Sequence, residues 1–180
     1  MILLQILLCL WSEPALTTYS PEMVTTSYIE QYQDLAIVEM HRSGVPASIT
    51  LAQAIIETNS GQSDLATRAN NHFGIKCKRT WNGDTYYHKD DDLDTSGKLV
   101  PSCFRAYDAV VDSYADHSNF LKTKENYIAL FLLDGKDYKN WAHGLKRSGY
   151  ATNPEYGNMI IRIIEKYNLH QYDHWPSPFK

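Results

Sequence analysis

The segment ITLAQAIIE constrains the fold more than any other part of the sequence. Ile49, Ala52 and Ile56 fall on one face of a helix. Leu51 and Ile55 widen this face to a broad apolar arc. A helix with such an arc is buried on most sides, so other elements of the chain must surround it. At 180 residues the chain can supply them and bury a core as one domain.

A carboxylate ends this apolar segment. Glu57 lies at the edge of the arc, near the predicted end of the helix, and Gly61 marks the stop. The negative end of the helix dipole and the apolar neighbours both disfavour a charged carboxylate, which predicts a raised pKa for Glu57. A glutamic acid that keeps its proton near neutral pH suits general acid catalysis, and glycoside cleavage often uses such an acid. The alternative is a solvated residue at a fraying helix end, which describes most Glu side chains.

Helical patterns lie on both sides of this segment. Ser27 and Glu30 have the spacing of a capping box and predict the start of a first helix, which Gly44 ends. Pro46 suits the first turn of the apolar helix, and Ser63 suits the cap of a short helix after it. Downstream, further helices are predicted after Asp108, over 127–133, over 138–147 and from Pro154.

Strand-like segments interrupt the helices. FGIKC, TYYH and LVPSCFRAY have the composition of strands, and Asn82-Gly83 is a hairpin turn signal. The acidic run KDDDLDTSGK is predicted to be a turn-rich loop. A helical majority with a small inserted hairpin predicts an α+β fold, in which the hairpin forms a second wall beside Glu57.

Composition argues against several classes of protein and site. A net charge of −4 without a basic cluster is not the footprint of a nucleic-acid-binding protein. The seven His and three Cys show no spacing typical of a zinc site. We therefore expect no metal, no cofactor and no nucleic-acid partner, and we expect a monomer.

Two cysteines, Cys77 and Cys103, flank the turn-rich segment. They could pair in an oxidising compartment, which would stabilise the chain by about 3 kcal/mol in the chain-entropy model. Two buried free thiols are the alternative. A Cys–His amidase site is disfavoured, because Cys77 follows a strand-like run and does not open a helix.

The chain begins with an apolar segment, MILLQILLCLW. A bilayer span needs about 20 residues, so this segment is too short for a stable membrane span. It is similar to the apolar part of a secretory signal, although no Lys or Arg precedes it. We therefore expect a signal segment and linker over 1–24, a folded domain over 25–172 and an irregular tail over 173–180, in a protein that is secreted or lies in the periplasm or cell envelope. An apolar N-terminal segment that packs on the domain is the alternative.

Three separated blocks carry a resemblance to a known family. They are VPASITLAQAIIETNSGQSDLATRANNHFGIKC, FRAYDAVVDSYADHSNFL and GYATNPEYGNMIIRIIEKYNL. In this order they resemble the motifs of glycoside hydrolase family 73, the bacterial endo-β-N-acetylglucosaminidases that act on peptidoglycan. The similarity extends over residues 25–170. It implies a lysozyme-like fold, with a small β-hairpin lobe that flanks the cleft, and hydrolysis of the β-1,4 bond after N-acetylglucosamine.

The resemblance also assigns roles to individual residues. Glu57 falls on the catalytic acid of the family, and Tyr150 on the tyrosine of the Y-A-T motif near that acid. Tyr156 falls on the second motif tyrosine, and Asn71 and Phe73 fall on the turn that links the helices to the hairpin. We expect these last three residues to bind substrate. The family pattern is broken mildly at two positions, which are Thr58 for Ser and Asn153 for Asp.

The hairpin is expected to supply further site residues. Its acidic run offers a second catalytic carboxylate, and Asp91 or Asp92 is preferred over Asp90 and Asp94. Such a carboxylate could activate a water, or the N-acetyl group of the substrate could attack instead, with support from a tyrosine hydroxyl. Tyr86 is expected to stack on a sugar ring, with cross-strand packing as an equal alternative.

Two rival functions fit the same residues. A lytic transglycosylase on a lysozyme-like fold would release 1,6-anhydro-muramyl ends. A glycan-binding module would bind the wall without cleaving it, although the intact Glu57 and Y-A-T motif favour an enzyme.

Overall fold

The computed structural model describes residues 20–174, so residues 1–19 of the predicted signal segment and residues 175–180 of the predicted tail lie outside the described chain. Helices dominate this part of the chain, and a single β-hairpin lies between two groups of them. In chain order the elements are α1 (Pro21–Ser43), α2 (Ala47–Thr58), α3 (Asp64–Ala69), β1 (Thr85–Leu93), β2 (Leu99–Arg105), α4 (Val110–Thr123), a 3-10 helix (Glu125–Leu132), α5 (Tyr138–Arg147), α6 (Tyr156–Lys166) and a second 3-10 helix (Leu169–Tyr172). The predicted α+β fold is confirmed.

Helix α1 begins earlier than the capping-box spacing predicted. The side chain of Ser20 accepts a hydrogen bond from the backbone N–H of Met23, and Pro21 occupies the first helical turn. This cap satisfies the helix start before Ser27 is reached, so the predicted start at Ser27 is wrong and part of the predicted linker is helical. The predicted end is confirmed, because Gly44 adopts a left-handed backbone with φ of 89°.

Helix α2 is the centre of the core, as its wide apolar arc predicted. Ile49, Leu51, Ala52 and Ala54 have no exposed surface. Helices α1, α5 and α6 and the 3-10 helix Leu169–Tyr172 pack around it. The predicted irregular tail begins with a buried contact, since the carboxylate of Asp173 accepts a hydrogen bond from the backbone N–H of Ser48 in the first turn of α2.

A tight turn follows α2 and fixes the position of its last residues. The hydroxyl of Thr58 donates to the carbonyl of Ala54 and accepts from the backbone N–H of Gly61. Gly61 has a φ of 81°, and a Cβ at this position would lie 2.8 Å from the ring of Tyr28. A residue without a side chain is therefore required where the chain leaves the end of α2.

The hairpin is present, and its turn falls at the end of the acidic segment predicted to be turn-rich, not at the Asn82-Gly83 signal. Strands β1 and β2 pair antiparallel, with Thr85 opposite Arg105 and Leu93 opposite Leu99. The acidic run predicted as a loop therefore belongs largely to β1, and Asn82-Gly83 precedes the strand. The turn forms instead at Asp94, whose carboxylate accepts hydrogen bonds from three groups: the backbone N–H and hydroxyl of Ser96 and the backbone N–H of Lys98.

A disulfide ties the hairpin to the segment before it. Cys77 is bonded to Cys103 of β2, and the backbone N–H of Cys77 donates to the carbonyl of Cys103 at 2.8 Å. FGIKC, predicted as a strand, contributes only an isolated bridge between Lys76 and Phe104. The sequence left open a disulfide or two free thiols for Cys77 and Cys103, and the structure contains the disulfide.

Candidate active site

Glu57 lies in the last turn of α2, at the edge of the core. Its side chain is half-buried, and its Oε1 accepts a hydrogen bond from the hydroxyl of Tyr156 at 2.8 Å. Burial raises the pKa of Glu57 above its ordinary value, and the hydrogen bond from Tyr156 opposes this rise. The raised pKa predicted from the sequence is confirmed.

The two motif tyrosines lie side by side next to this acid. The rings of Tyr150 and Tyr156 are stacked, with their centroids 5.6 Å apart. Tyr156 is 3% exposed, whereas Tyr150 is only half-buried. Burial and the negative charge of Glu57 both raise the pKa of Tyr150 well above its ordinary value, so its hydroxyl stays neutral. The structure thus brings together Glu57, Tyr150 and Tyr156 from sites that are far apart in sequence.

The loop before α6 holds these tyrosines in place. The ammonium group of Lys146 donates to the carbonyls of Ala151 and Thr152. Asn153, where the family pattern has Asp, accepts a hydrogen bond from the backbone N–H of Glu155. Asn153 therefore forms a side-chain-to-backbone turn at this position without carrying a charge.

Asn71 and Phe73 lie beneath the site and not on its surface. Asn71 is 1% exposed, and its amide nitrogen donates to the carbonyls of Ile75 and Arg105, while its amide oxygen accepts from the backbone N–H groups of Phe73 and Ile75. Phe73 is 4% exposed and stacks on His117. Both residues shape the turn that joins the helices to the hairpin. Direct contact with a substrate stays a prediction for them, and their burial disfavours it.

The hairpin carboxylates are engaged with a lysine. Lys76 lies between Asp90 and Asp92, with nitrogen-to-oxygen distances of 2.8 and 2.9 Å. The side chain of Asp92 is 47% exposed, and no contact joins it to Glu57 among the described residues. The side chain of Asp91 lies outside the part of the chain that the structure describes. A catalytic role for either Asp stays a prediction.

Aromatic residues of the hairpin are partly accessible. Tyr86 is half-buried, lies opposite Phe104 on β2 and has its ring 6.2 Å from that of His88. Its stacking on a sugar stays a prediction. Among the side chains that the structure describes, no group of three from His, Cys, Asp and Glu is placed to hold a metal ion.

Two further residues join the site that the sequence did not assign to it. Gln53 has no exposed surface, and its amide nitrogen donates to the hydroxyl of Tyr156 at 3.2 Å. Its amide oxygen is 3.1 Å from Nε2 of His117, which is also fully buried. His117 is thus a core residue whose ring has a buried hydrogen-bond partner. A glutamine within an otherwise apolar helical run was the signal that could have pointed to Gln53.

Residues 33–169 match the family described as mannosyl-glycoprotein endo-beta-N-acetylglucosaminidase. The chain belongs to this glucosaminidase family. It is the same group, glycoside hydrolase family 73, whose motifs the sequence resembles. The match covers the helices and the hairpin that surround Glu57.

Curated relatives of this glucosaminidase-family chain include enzymes of the bacterial cell wall. The exo-glucosaminidase LytG of Bacillus subtilis is 35% identical over 152 residues, which cover 81% of this chain and 52% of LytG. The peptidoglycan hydrolase FlgJ of Vibrio cholerae is 30% identical over 152 residues, which cover 81% of this chain and 45% of FlgJ. The chain thus spans about half the length of these relatives.

Solved structures of similar sequence share the fold. The catalytic domain of the autolysin Auto from Listeria monocytogenes superposes with a TM-score of 0.74 at 26% identity, covering 88% of this chain and 92% of that domain. A peptidoglycan hydrolase mutant from Sphingomonas sp. A1 gives a TM-score of 0.68 at 28% identity, covering 81% of this chain and 96% of that chain. The predicted lysozyme-like fold is confirmed. No helix of the described chain is both long and apolar enough to cross a bilayer.

Proposed function

We propose that the chain hydrolyses the β-1,4 bond that follows N-acetylglucosamine in peptidoglycan, with Glu57 as the general acid. The observation that carries this proposal is the environment of Glu57. Its side chain is half-buried, burial raises its pKa, and its Oε1 accepts a hydrogen bond from Tyr156. A carboxyl group that stays protonated can deliver its proton to the leaving glycosidic oxygen. The names of the relatives, an exo-glucosaminidase and a peptidoglycan hydrolase, support this bond and this substrate.

The second half of the reaction has two candidate routes. A hairpin carboxylate, Asp91 or Asp92, can activate a water, or the N-acetyl group of the substrate can attack the anomeric carbon. Two observations favour the second route. Tyr150 lies beside Glu57, where its neutral hydroxyl can support a charged ring intermediate, and Asp92 is already paired with Lys76. We also expect two further tyrosines to contact or position the sugar chain. They are Tyr156 and, on the hairpin, Tyr86.

The proposed partner is the glycan strand of the cell wall, and the proposed place of action is outside the cytoplasmic membrane. The Cys77–Cys103 disulfide supports this, because disulfides persist in oxidising compartments. Whether the enzyme cuts within strands or from their ends is decided by the sizes of the released fragments over time.

The first test replaces the acid. We expect Glu57→Gln to lower the rate on purified peptidoglycan at least about 10²-fold, because the amide cannot donate the required proton, while the fold is kept. Glu125→Gln, at an exposed position, is the matched control and should keep full activity. Product ends are identified by mass spectrometry, and reducing N-acetylglucosamine ends are expected.

Other outcomes would support the rival functions. Release of 1,6-anhydro-muramyl ends would identify a lytic transglycosylase. Binding to the wall without any cleavage by the unmodified chain would identify a glycan-binding module. Near-full activity of Glu57→Gln would reject the assignment of the acid.

A further inference from the structure

A chain of hydrogen bonds runs from the core of the molecule to Glu57. The hydroxyl of Tyr156 donates to Oε1 of Glu57 at 2.8 Å, and the amide nitrogen of Gln53 donates to that hydroxyl at 3.2 Å. The amide oxygen of Gln53 is hydrogen-bonded to Nε2 of His117 at 3.1 Å. Gln53 and His117 have no exposed surface and Tyr156 has 3%, so the three side chains are shielded from water.

The chemistry of the partners fixes the direction of these bonds. An amide oxygen only accepts hydrogen bonds, so Nε2 of His117 carries the hydrogen and donates it to Gln53. Burial lowers the pKa of His117 to about 3, which keeps its ring neutral. Nδ1 of His117 has no hydrogen-bond partner in the described chain, and the ring is held instead by stacking on Phe73 at 3.9 Å. All three bonds therefore donate toward Glu57.

A purely structural role does not account for this arrangement. Replacing both partners of a buried hydrogen bond with apolar groups of the same shape is nearly neutral for stability. A core that needed only packing could thus dispense with Gln53 and His117, which lie among apolar side chains on α2 and α4. The polar chain ends on the carboxyl group of Glu57, and its last bond occupies one of the two carboxyl oxygens, Oε1.

We propose that Gln53 and His117 are positioning residues, which act through Tyr156 to present the proton of Glu57 to the substrate. This inference rests on the proposed function of Glu57. Because Oε1 is held as an acceptor, the proton resides on Oε2, to which no side chain described by the structure donates a hydrogen bond. When the glycosidic bond breaks, this proton passes from Oε2 to the leaving oxygen. The carboxylate that remains is stabilised by the bond from Tyr156, which becomes charge-assisted.

The effect of these hydrogen bonds on Glu57 can be measured from the pH dependence of kcat. The titratable side chains with a described contact or charge interaction with Glu57 are Tyr150 and Tyr156, and burial raises the pKa of both well above the ordinary value. His117, at the far end of the chain, stays neutral. None of them changes charge near neutral pH, so the alkaline limb of kcat reports the loss of the proton from Glu57.

The test uses two variants that keep the side-chain packing of the core but remove a hydrogen-bond donor. His117→Phe retains a ring to stack on Phe73 but removes the donor, and Gln53→Met retains the shape of the chain without the amide. We expect each to lower kcat about 10-fold, the order expected for weakening one hydrogen bond to a charged group, with KM changed less than about twofold. The alkaline limb of kcat should move to higher pH, because a carboxylate with a weaker donor holds its proton more tightly.

Two controls separate positioning from general damage to the core. His117→Gln restores a donor at the place of Nε2, so we expect it to recover most of kcat and the original pH profile. Thr50→Val removes a different buried hydrogen bond from α2, between the threonine hydroxyl and the carbonyl of Pro46, and should leave kcat and the profile unchanged. A loss of kcat in Thr50→Val as large as in Gln53→Met would overturn the proposal.

A direct measurement distinguishes failure of this inference from failure of the proposed function. The pKa of Glu57 is followed by NMR of the labelled carboxyl carbon in the unmodified protein, His117→Phe and Gln53→Met. A raised pKa in both variants is expected, and an unchanged pKa with an unchanged kcat would overturn the positioning role while leaving the glycosidase intact. An unmodified protein that cleaves no glycan would instead reject the function, whatever the titration shows.

Discussion

At the scale of single residues, two opposing effects set the pKa of Glu57. Glu57 is buried enough that its pKa rises, yet the hydroxyl of Tyr156 gives its carboxylate one strong partner. Apolar periodicity and a predicted helix end made Glu57 a candidate, and the resemblance of three sequence blocks to a glycosidase family then singled it out. The same reasoning could not find the roles of Gln53 and His117, because their partners lie 103 and 64 residues away in sequence. Contacts at such separation leave no periodic pattern.

The raised pKa of Glu57 predicts how stability changes with pH. The folded state holds this proton more tightly than the unfolded state, so stability is highest below the ordinary pKa and falls as the pH rises through the raised one. We expect Glu57→Gln to raise Tm by a few degrees at pH 8 and to have little effect at pH 4, since the amide carries no charge to bury. Thermal unfolding at both pH values checks this, and a lower Tm of the variant at pH 8 would contradict it.

Tyr150 provides a second prediction at this scale. Tyr150→Phe keeps the ring that stacks on Tyr156 but removes the hydroxyl beside Glu57. If that hydroxyl supports the reaction, we expect kcat to fall about 10-fold, the order of one hydrogen bond to a charged group, with Tm unchanged. Tyr127→Phe is a matched control, since Tyr127 is a buried tyrosine that packs against Tyr150, and it should retain its activity. Equal losses in both variants would point to packing as the cause.

At the scale of elements, local sequence predicted the helices better than the hairpin. The α5 bounds of Tyr138 and Arg147 agree with the predicted ones, and α3 begins after its predicted cap, Ser63. The Asn82-Gly83 signal did not form the hairpin turn, and the first half of the acidic segment forms strand where a loop was predicted. Lys76 neutralises the acidic run from outside the hairpin, and the side chain of Asp94 builds the turn where no Asn-Gly signal stands.

The disulfide gives a prediction for the hairpin. It closes a loop with a sequence separation of 26 and joins β2 to the segment that follows α3. We expect the double variant Cys77→Ser, Cys103→Ser to lose about 3 kcal/mol in the free energy of unfolding, as expected from the chain entropy of such a loop. Denaturant unfolding of the oxidised protein and the double variant checks this. A loss below about 1 kcal/mol would show that the hairpin is held by its other contacts.

At the scale of the whole molecule, the helical part and the hairpin carry different chemical groups. Helices α2 and α6 carry Glu57 and Tyr156, the loop between α5 and α6 carries Tyr150, and the hairpin carries partly exposed aspartates that are paired with Lys76. If the substrate's N-acetyl group is the nucleophile, we expect Asp92→Asn to lower kcat less than Tyr150→Phe does. The first product should then keep the β anomer, which NMR during the reaction can observe. An α anomer together with an inactive Asp92→Asn or Asp91→Asn would indicate the water route.

Glu57 and its hydrogen-bond donor Tyr156 are separated by 99 positions in the chain, and Tyr156 is the first residue of α6. A polypeptide emerging from the ribosome therefore completes α2 long before it can assemble the pair. Until α6 docks, Glu57 has neither its tyrosine partner nor the shielding that keeps it protonated. The Glu57–Tyr156 pair is thus assembled only after α2 and α6 have both formed and docked.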